Sequence, residues 1–288
     1  MYKNMHIFAD TKETGMKKSL LTALLLLSAL LGSAQSLTVI SYNIRLGEAK
    51  DGTNSWPFRY AASRAMVMDQ KPDIMGLQEA FIYQAGYLQE YCEGYKYVGV
   101  GRENGKKEGE IMAIFYRKET VKLLKWGTFW LSETPKKPSL GWDAACKRTA
   151  TWALMKDKRT GKKFYYVNTH LDHVGWEARE KGLQLIVDRM AEMNKEGLPI
   201  VLTGDLNMTP ERKQLAPLNR VMQSARETAF KTDRLATFHN WGKEDTQIID
   251  YIYYSGFSSC VEYETVRKPY EDRKFISDHY PIKAILVF

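Results

Sequence analysis

Thiols are scarce in this sequence. Its three cysteines, Cys92, Cys146 and Cys260, are odd in number, widely spaced and show no paired metal-ligand pattern. That excludes a disulfide framework and indicates no zinc site, leaving one bridge in an oxidising compartment or, more simply, three small buried side chains. Long apolar runs are scarce as well. The one present, Leu20 to Leu31, falls short of the roughly 20 residues a membrane-crossing helix needs, and nothing after it could span a bilayer. Internal repeats, low-complexity tracts and linkers are missing too, which excludes repeat and beads-on-a-string architectures and leaves one domain as the economical expectation.

That apolar run has another use. Lys17 and Lys18 precede it and Gly32-Ser33-Ala34 follows, which is the layout of a secretory signal peptide. Residues 1–34 are therefore expected to be an export signal, with the true start at Met16, and residues 35–288 to be the mature domain, periplasmic or extracellular. Removing the segment takes the net charge from +8 to +6, because it holds four lysines against Asp10 and Glu13. A moderately basic surface favours anionic partners, although solvated lysine alone would give the same count.

What the sequence has in abundance is short apolar segments ending in polar residues. Ser36 to Ile44 is rich in β-branched and aromatic residues and reads as a first strand, with Asn43 near its end. A helical pattern follows from about Arg59 to Gln70, then a strand from Ile74 to Glu79 and a helix from Phe81 to Tyr91. The middle reads as strands at 95–100, 110–116, 121–131, 149–156 and 162–169, separated by polar loops in the manner of antiparallel meanders. Trp126, Phe129, Trp130, Trp142 and Trp152 fall among them as packing residues. Gly175 opens a helix to Asn194, with Leu183, Ile186, Val187 and Met190 on its apolar face. The run Pro199 to Gly204 is a buried strand that delivers Asp205 and, two residues on, Asn207 to one side, with Met208-Thr209-Pro210 as a helix start. Thr246 to Tyr254 and Tyr280 to Phe288 are the last strands read.

Six segments thus end, or are interrupted, at Asn43, Glu79, His170, Asp205 with Asn207, Asp250, and Asp278 with His279. Each residue taken singly could be a turn or capping contact. Together they suit a site assembled from loops above a sheet, and carboxylate and amide oxygens favour a hard cation such as Mg2+, with Mn2+ or Ca2+ as alternatives.

Ser-Tyr-Asn43-Ile, Leu-Gln-Glu79, Asn-Thr-His170-Leu, Gly-Asp205-Leu-Asn207, Ile-Asp250-Tyr-Ile and Ser-Asp278-His279-Tyr-Pro281 resemble, in order, the motif series of the endonuclease/exonuclease/phosphatase superfamily. The resemblance implies a four-layer α/β/β/α sandwich with two packed, mainly antiparallel sheets. It implies Glu79 as main metal ligand, with Asn43 and Asp278 in the same shell. Asp205 would orient or deprotonate the attacking water, and Asn207 and His170 would donate to phosphate oxygens. His279 would be the essential histidine, as base or as cation, held by Asp250.

Departures narrow the reading. Arg45 stands where repair enzymes of the exonuclease III type carry an aspartate, which argues against an abasic-site role. Asp172 and His173 resemble the nocturnin and deadenylase-like branch; Asp172 either lines the substrate side or caps the following helix. Arg148 is a candidate phosphate clamp, an ordinary surface arginine being its alternative. The expected function is metal-dependent hydrolysis of a phosphodiester or phosphomonoester by activated water, with nucleic acid or a lipid or inositol headgroup as possible substrate and a monomer as the assembly. An exported nuclease and a catalytically silent binding module on the same fold are the competing readings.

Overall fold

Strand β1 (Ser36–Asn43) is buried without a break from Val39 to Asn43, as a strand covered on both faces must be. The computed structural model describes residues 35–288, so the expected export signal lies outside the described residues. Helix α1 (Tyr60–Gln70) follows and stops at Lys71, whose left-handed backbone (φ 46°) precedes Pro72. Strand β2 (Ile74–Ala80) then lies parallel to β1, and helix α2 (Ile82–Tyr91) leads to β3 (Tyr95–Val98) and β4 (Ile111–Arg117). The middle of the chain is β5 (Val121–Trp130), β6 (Thr149–Asp157) and β7 (Lys163–His170), an antiparallel meander. Helix α3 (Trp176–Met193) crosses to β8 (Ile200–Asp205), parallel to β7. The rest comprises two short helices, α4 (Ala216–Asn219) and α5 (Ala225–Thr228), and strands β9 (Gln223–Ser224), β10 (Lys231–Thr232), β11 (Asp250–Ser255), β12 (Ser259–Thr265) and β13 (Ile282–Val287).

These strands make two sheets, ordered β10-β12-β13-β1-β2-β4-β3 and β5-β6-β7-β8-β11-β9. Period-two alternation sorts their side chains into layers. Val39 and Val201 join a cluster between the sheets with Met155, Phe164 and Leu286. Their neighbours point the other way. Ile40 packs with Met66, Val67 and Leu88 of α1 and α2, and Leu202 packs with Leu183 and Ile186 of α3. Helices therefore cover both outer faces of two mainly antiparallel sheets, which is the expected four-layer sandwich.

A polar network pins the two sheets together below the strand ends. Asn168 Nδ2 donates to the carbonyls of Leu77 (2.8 Å) and Ala113 (3.0 Å), and its Oδ1 accepts from Gln78 Nε2 (2.7 Å) and Thr203 Oγ1 (3.1 Å). Gly76 makes room for it, since a Cβ there would stand 2.3 Å from Thr203 Oγ1.

Three local expectations change. No helix starts at Met208; that stretch is a turn, and the next helical residues are Lys213–Leu215. The strand expected from Thr246 begins at Asp250, with Gln247 making only an isolated bridge to Phe238. Strand β12 was not anticipated, because a bulge between Cys260 and Glu262 breaks its alternation. All three cysteines are free, and among the described residues no helix is long and apolar enough to cross a membrane.

Candidate active site

Register brings the site together. On sheet two, His170 of β7 and Asp250 of β11 are both partnered with Asp205 of β8, so the three side chains share one face at the strand ends. On sheet one, Asn43 is partnered with Gln78, one residue before Glu79. The pairing of β2 with β4 slips between Leu77 and Ala80, and Glu79 takes a left-handed backbone (φ 59°) within that bulge. The bulge aims Glu79 into the cleft instead of along the strand. Asn207 arrives by a turn and not by strand alternation. Its N–H donates to Asp205 Oδ1 (2.9 Å), and its φ is 48°.

The side chains interlock. Asn43 Nδ2 lies 3.0 Å from both Glu79 Oε1 and Asp205 Oδ2 and 3.4 Å from His279 Nε2, while its Oδ1 accepts from Arg45 N–H. Asn43 therefore presents its amide nitrogen to the two carboxylates. His279 Nδ1 is 2.8 Å from Asp250 Oδ2, and its Nε2 is 3.7 Å from Asp205 Oδ2. His170 Nε2 is 3.0 Å from Asn207 Nδ2 and 3.5 Å from Asp205 Oδ2. Asp278 sits at the edge, 3.5 Å from the Arg45 guanidinium, which also makes a two-pronged pair with Asp51 (3.0 and 3.2 Å). All the sequence-predicted residues of this group thus meet at one place.

Burial and charge set their protonation. Burial alone would strip the proton from His279, but Asp250, Asp205 and Asp278 outweigh it and hold the imidazolium to about pH 10. Burial, with the neighbouring charge of Asp250, raises the Asp205 carboxyl to about 7. His170 goes the opposite way: burial and the cations Arg148 and Arg102 push it well below the ordinary histidine value, so it is neutral. Asp278 is raised, chiefly by burial.

Arg148 and Asp172 form a second group on the same wall. Arg148 is buried, not superficial, with Nε 3.3 Å from Asp172 Oδ2 and Nη2 3.0 Å from His173 Nδ1. Asp172 Oδ1 accepts from the N–H groups of Ala145, Val174 and Gly175, which fastens the turn before α3. Burial would raise its carboxyl, yet these donors and Arg148 hold it well below the usual carboxylate range. Asp172 thus caps the turn and orients Arg148.

Several residues escape sequence reasoning. Arg59, fully buried, donates to the carbonyls of Ile44, Arg45 and Asn54 and so fixes the segment after Asn43. His239 stacks on Phe275 and lies tilted against Tyr280, and its backbone N–H donates to the carbonyl of Asp278 (3.0 Å). Phe238 packs edge-on against His279, and Arg102 and Glu110 line the cleft wall. Their only sequence signal is a polar or aromatic residue in a loop, which carries no period. The cleft holds about 450 Å³ and is lined by Glu79, His170, Asp205, Asn207 and His279 among others.

With this geometry in place, residues 40–279 match the Endonuclease/Exonuclease/phosphatase family. The chain belongs to that family. A mannosyl-6-phosphatase of Bacteroides thetaiotaomicron is 36% identical, with a TM-score of 0.83 over 88% of this chain and 100% of that one. A family protein of Bacteroides vulgatus is also 36% identical, with a TM-score of 0.82 over 87% and 98%. The human nocturnin catalytic domain, solved with a bound sulfate, shares the fold at 18% identity and a TM-score of 0.68, over 88% of this chain and 94% of that one. An uncharacterised protein of Acanthamoeba polyphaga mimivirus is 24% identical over 172 residues, 54% of this chain and 62% of the viral one, so the match spans less than two thirds of its length.

Members of the Endonuclease/Exonuclease/phosphatase family are hydrolases, and the family is generally metal-dependent. The donor set here fits an ion. Ligand atoms of Glu79, His170 and Asp205 lie within 4.8 Å of one another. Glu79 is partly exposed and accepts only from Asn43 Nδ2 and Leu46 N–H, which leaves carboxylate lone pairs for a cation. The triplet Asp205, Asp250 and His279 is as compact, but there His279 and Asp250 already occupy each other.

Proposed function

We propose that this protein is a metal-dependent phosphomonoesterase that releases phosphate from a small phosphorylated carbohydrate. The observation that carries the reading is the convergence of Asp205, Asn207, His170 and His279 on one buried point beneath a cleft of about 450 Å³. The choice of monoester and carbohydrate is supported by 36% identity along the whole of a protein named a mannosyl-6-phosphatase.

The residues divide the work. Asp205, with its carboxyl near 7, accepts a proton from the attacking water. His279 keeps its proton at neutral pH, which makes it the cation facing the developing charge on the phosphoryl oxygens and not the base. Asp250 holds its ring through Nδ1. Neutral His170 and the Asn207 amide border the same point and orient the phosphoryl group. Water adds to phosphorus as the ester P–O bond breaks, giving free phosphate and the alcohol. Glu79, whose ligand atom lies within 4.8 Å of those of His170 and Asp205, would hold Mg2+ or a similar hard cation, which supplies Lewis-acid neutralisation of phosphoryl charge when bound. Asn43, expected in the metal shell, turns its amide nitrogen to the carboxylates and so orients Glu79 instead of ligating. Export to the periplasm or the outside, inferred from the leader-like first 34 residues, suits scavenging of phosphate or sugar. The test is phosphate release from mannose 6-phosphate with Mg2+, with chelator, and with His279→Ala.

A further inference from the structure

One pair in the cleft has no direct part in that chemistry beyond the charge that Arg102 lends to keeping His170 neutral. Arg102 and Glu110 close the loop of residues 99–110 between β3 and β4, and Arg102 Nη1 donates to Glu110 Oε2 at 2.8 Å. Both are largely shielded, at 14% and 10% side-chain exposure, and both line the cleft. The loop is held rigid: Arg102 N–H donates to the Glu110 carbonyl, Trp130 Nε1 to the Arg102 carbonyl (2.7 Å), and Lys147 Nζ to Glu103. The register of Ala80 with Ile111 sets Glu110 across from the strand end that carries Glu79. The pair therefore flanks the reacting centre without entering it.

We propose that Arg102 and Glu110 form a specificity-determining subsite that binds hydroxyl groups of the leaving alcohol, an inference that rests on the phosphomonoesterase reading. Only one carboxylate oxygen and one guanidinium nitrogen are spent on the pair itself, so Glu110 Oε1 and Arg102 Nη2 remain to accept from one hydroxyl and donate to its neighbour. The pair is neutral as a unit, and Arg148 beyond it is neutralised by Asp172. Such a wall suits an uncharged polyol better than a second phosphate. It offers no broad stacking platform for a nucleobase either, because Phe238, the one phenylalanine, tyrosine or tryptophan among the lining residues described, is turned edge-on to His279.

The experiment compares wild type, Glu110→Gln and Arg102→Lys on mannose 6-phosphate and on 4-nitrophenyl phosphate, which has no hydroxyls to read. Thermal unfolding checks that each variant is folded. The subsite predicts that KM for the sugar phosphate rises about tenfold or more in both variants with kcat little changed, while 4-nitrophenyl phosphate kinetics stay as in wild type. Equal losses on the two substrates, or no change on either, overturn the subsite alone. So does wild type that cleaves 4-nitrophenyl phosphate but not the sugar phosphate. Wild type inactive on every monoester overturns the functional reading and the subsite with it.

Discussion

Asp250 and Asp205 are register partners across β11 and β8, and His279 links them, its Nδ1 2.8 Å from the first and its Nε2 3.7 Å from the second. Two buried carboxylates on one face would repel each other if both were charged. The imidazolium between them offsets this repulsion: the carboxylates raise His279 to about 10, while burial and the charge of Asp250 still leave Asp205 raised to about 7 against the lowering pull of His279.

Asp250→Asn removes the largest influence that raises His279. Its proton should then be lost at lower pH, and the basic limb of the kcat/KM profile should move down by about one to three units. Profiles of wild type and variant that span from about pH 5 to above the His279 value of about 10 check this. An unmoved basic limb would detach His279 from the alkaline fall in rate.

Stability should follow the same groups in the chelated protein. A folded pKa raised above the unfolded value favours the native state fully below the unfolded pKa, and the gain is lost as pH rises through the folded pKa. For His279 that window runs from about 6.5 to about 10. Tm should therefore fall across it, and His279→Gln should flatten the fall. Calorimetric scans at several pH values read it directly.

Asp205→Ala should lower kcat by about 10²- to 10⁴-fold, the usual range for a lost general base. The protein should remain cooperatively folded, because the side chain lies at a strand end and above the packed layers. A folded variant with near-wild-type kcat would contradict the base assignment.

Glu79→Gln should weaken Mg2+ binding about tenfold or more, since a charged ligand becomes a neutral amide. Titration calorimetry of the metal alone gives the constant without recourse to activity. An unchanged affinity would move the ion to another set of donors.

Gly76→Ala should destabilise by about 1–3 kcal/mol, the usual cost of overpacking a filled interior. The new methyl would stand 2.3 Å from Thr203 Oγ1 and 2.4 Å from Asn168 Oδ1 in the network that joins the sheets. Denaturant unfolding measures the loss; a neutral effect would mean that the sheets can part there at little cost.

Much of this arrangement is legible in the sequence, and for a physical reason. Asn43, His170 and Asp205 sit where an apolar run meets a polar residue, and such junctions mark strand ends whatever the tertiary pairing; Asp250 is legible as a residue but not as a strand start, since it reads as an interruption of a strand from Thr246. The order of those junctions carries the family. Glu79 and Asn207 are legible as residues but not as geometry, since a bulge and a left-handed turn, not strand alternation, aim them. Arg59, Arg102 and Glu110 are not legible at all. They come from loops without periodicity, and their partners are fixed only when distant segments pack, as Arg59 meets the carbonyl of Ile276. Arg148 is legible as a candidate phosphate clamp or a surface arginine, but not as a buried side chain with Asp172 and His173 closing around it.

In the proposed reaction His279 serves, with a metal ion, as the cation of a phosphomonoesterase. The most direct test of that role is the rate of phosphate release from mannose 6-phosphate by wild type and by folded His279→Ala, each with Mg2+ and then with chelator. Wild type should release phosphate, and that release should stop with chelator and fall by about 10²-fold or more in the variant. Release that survives chelation, or that the variant matches, would contradict it.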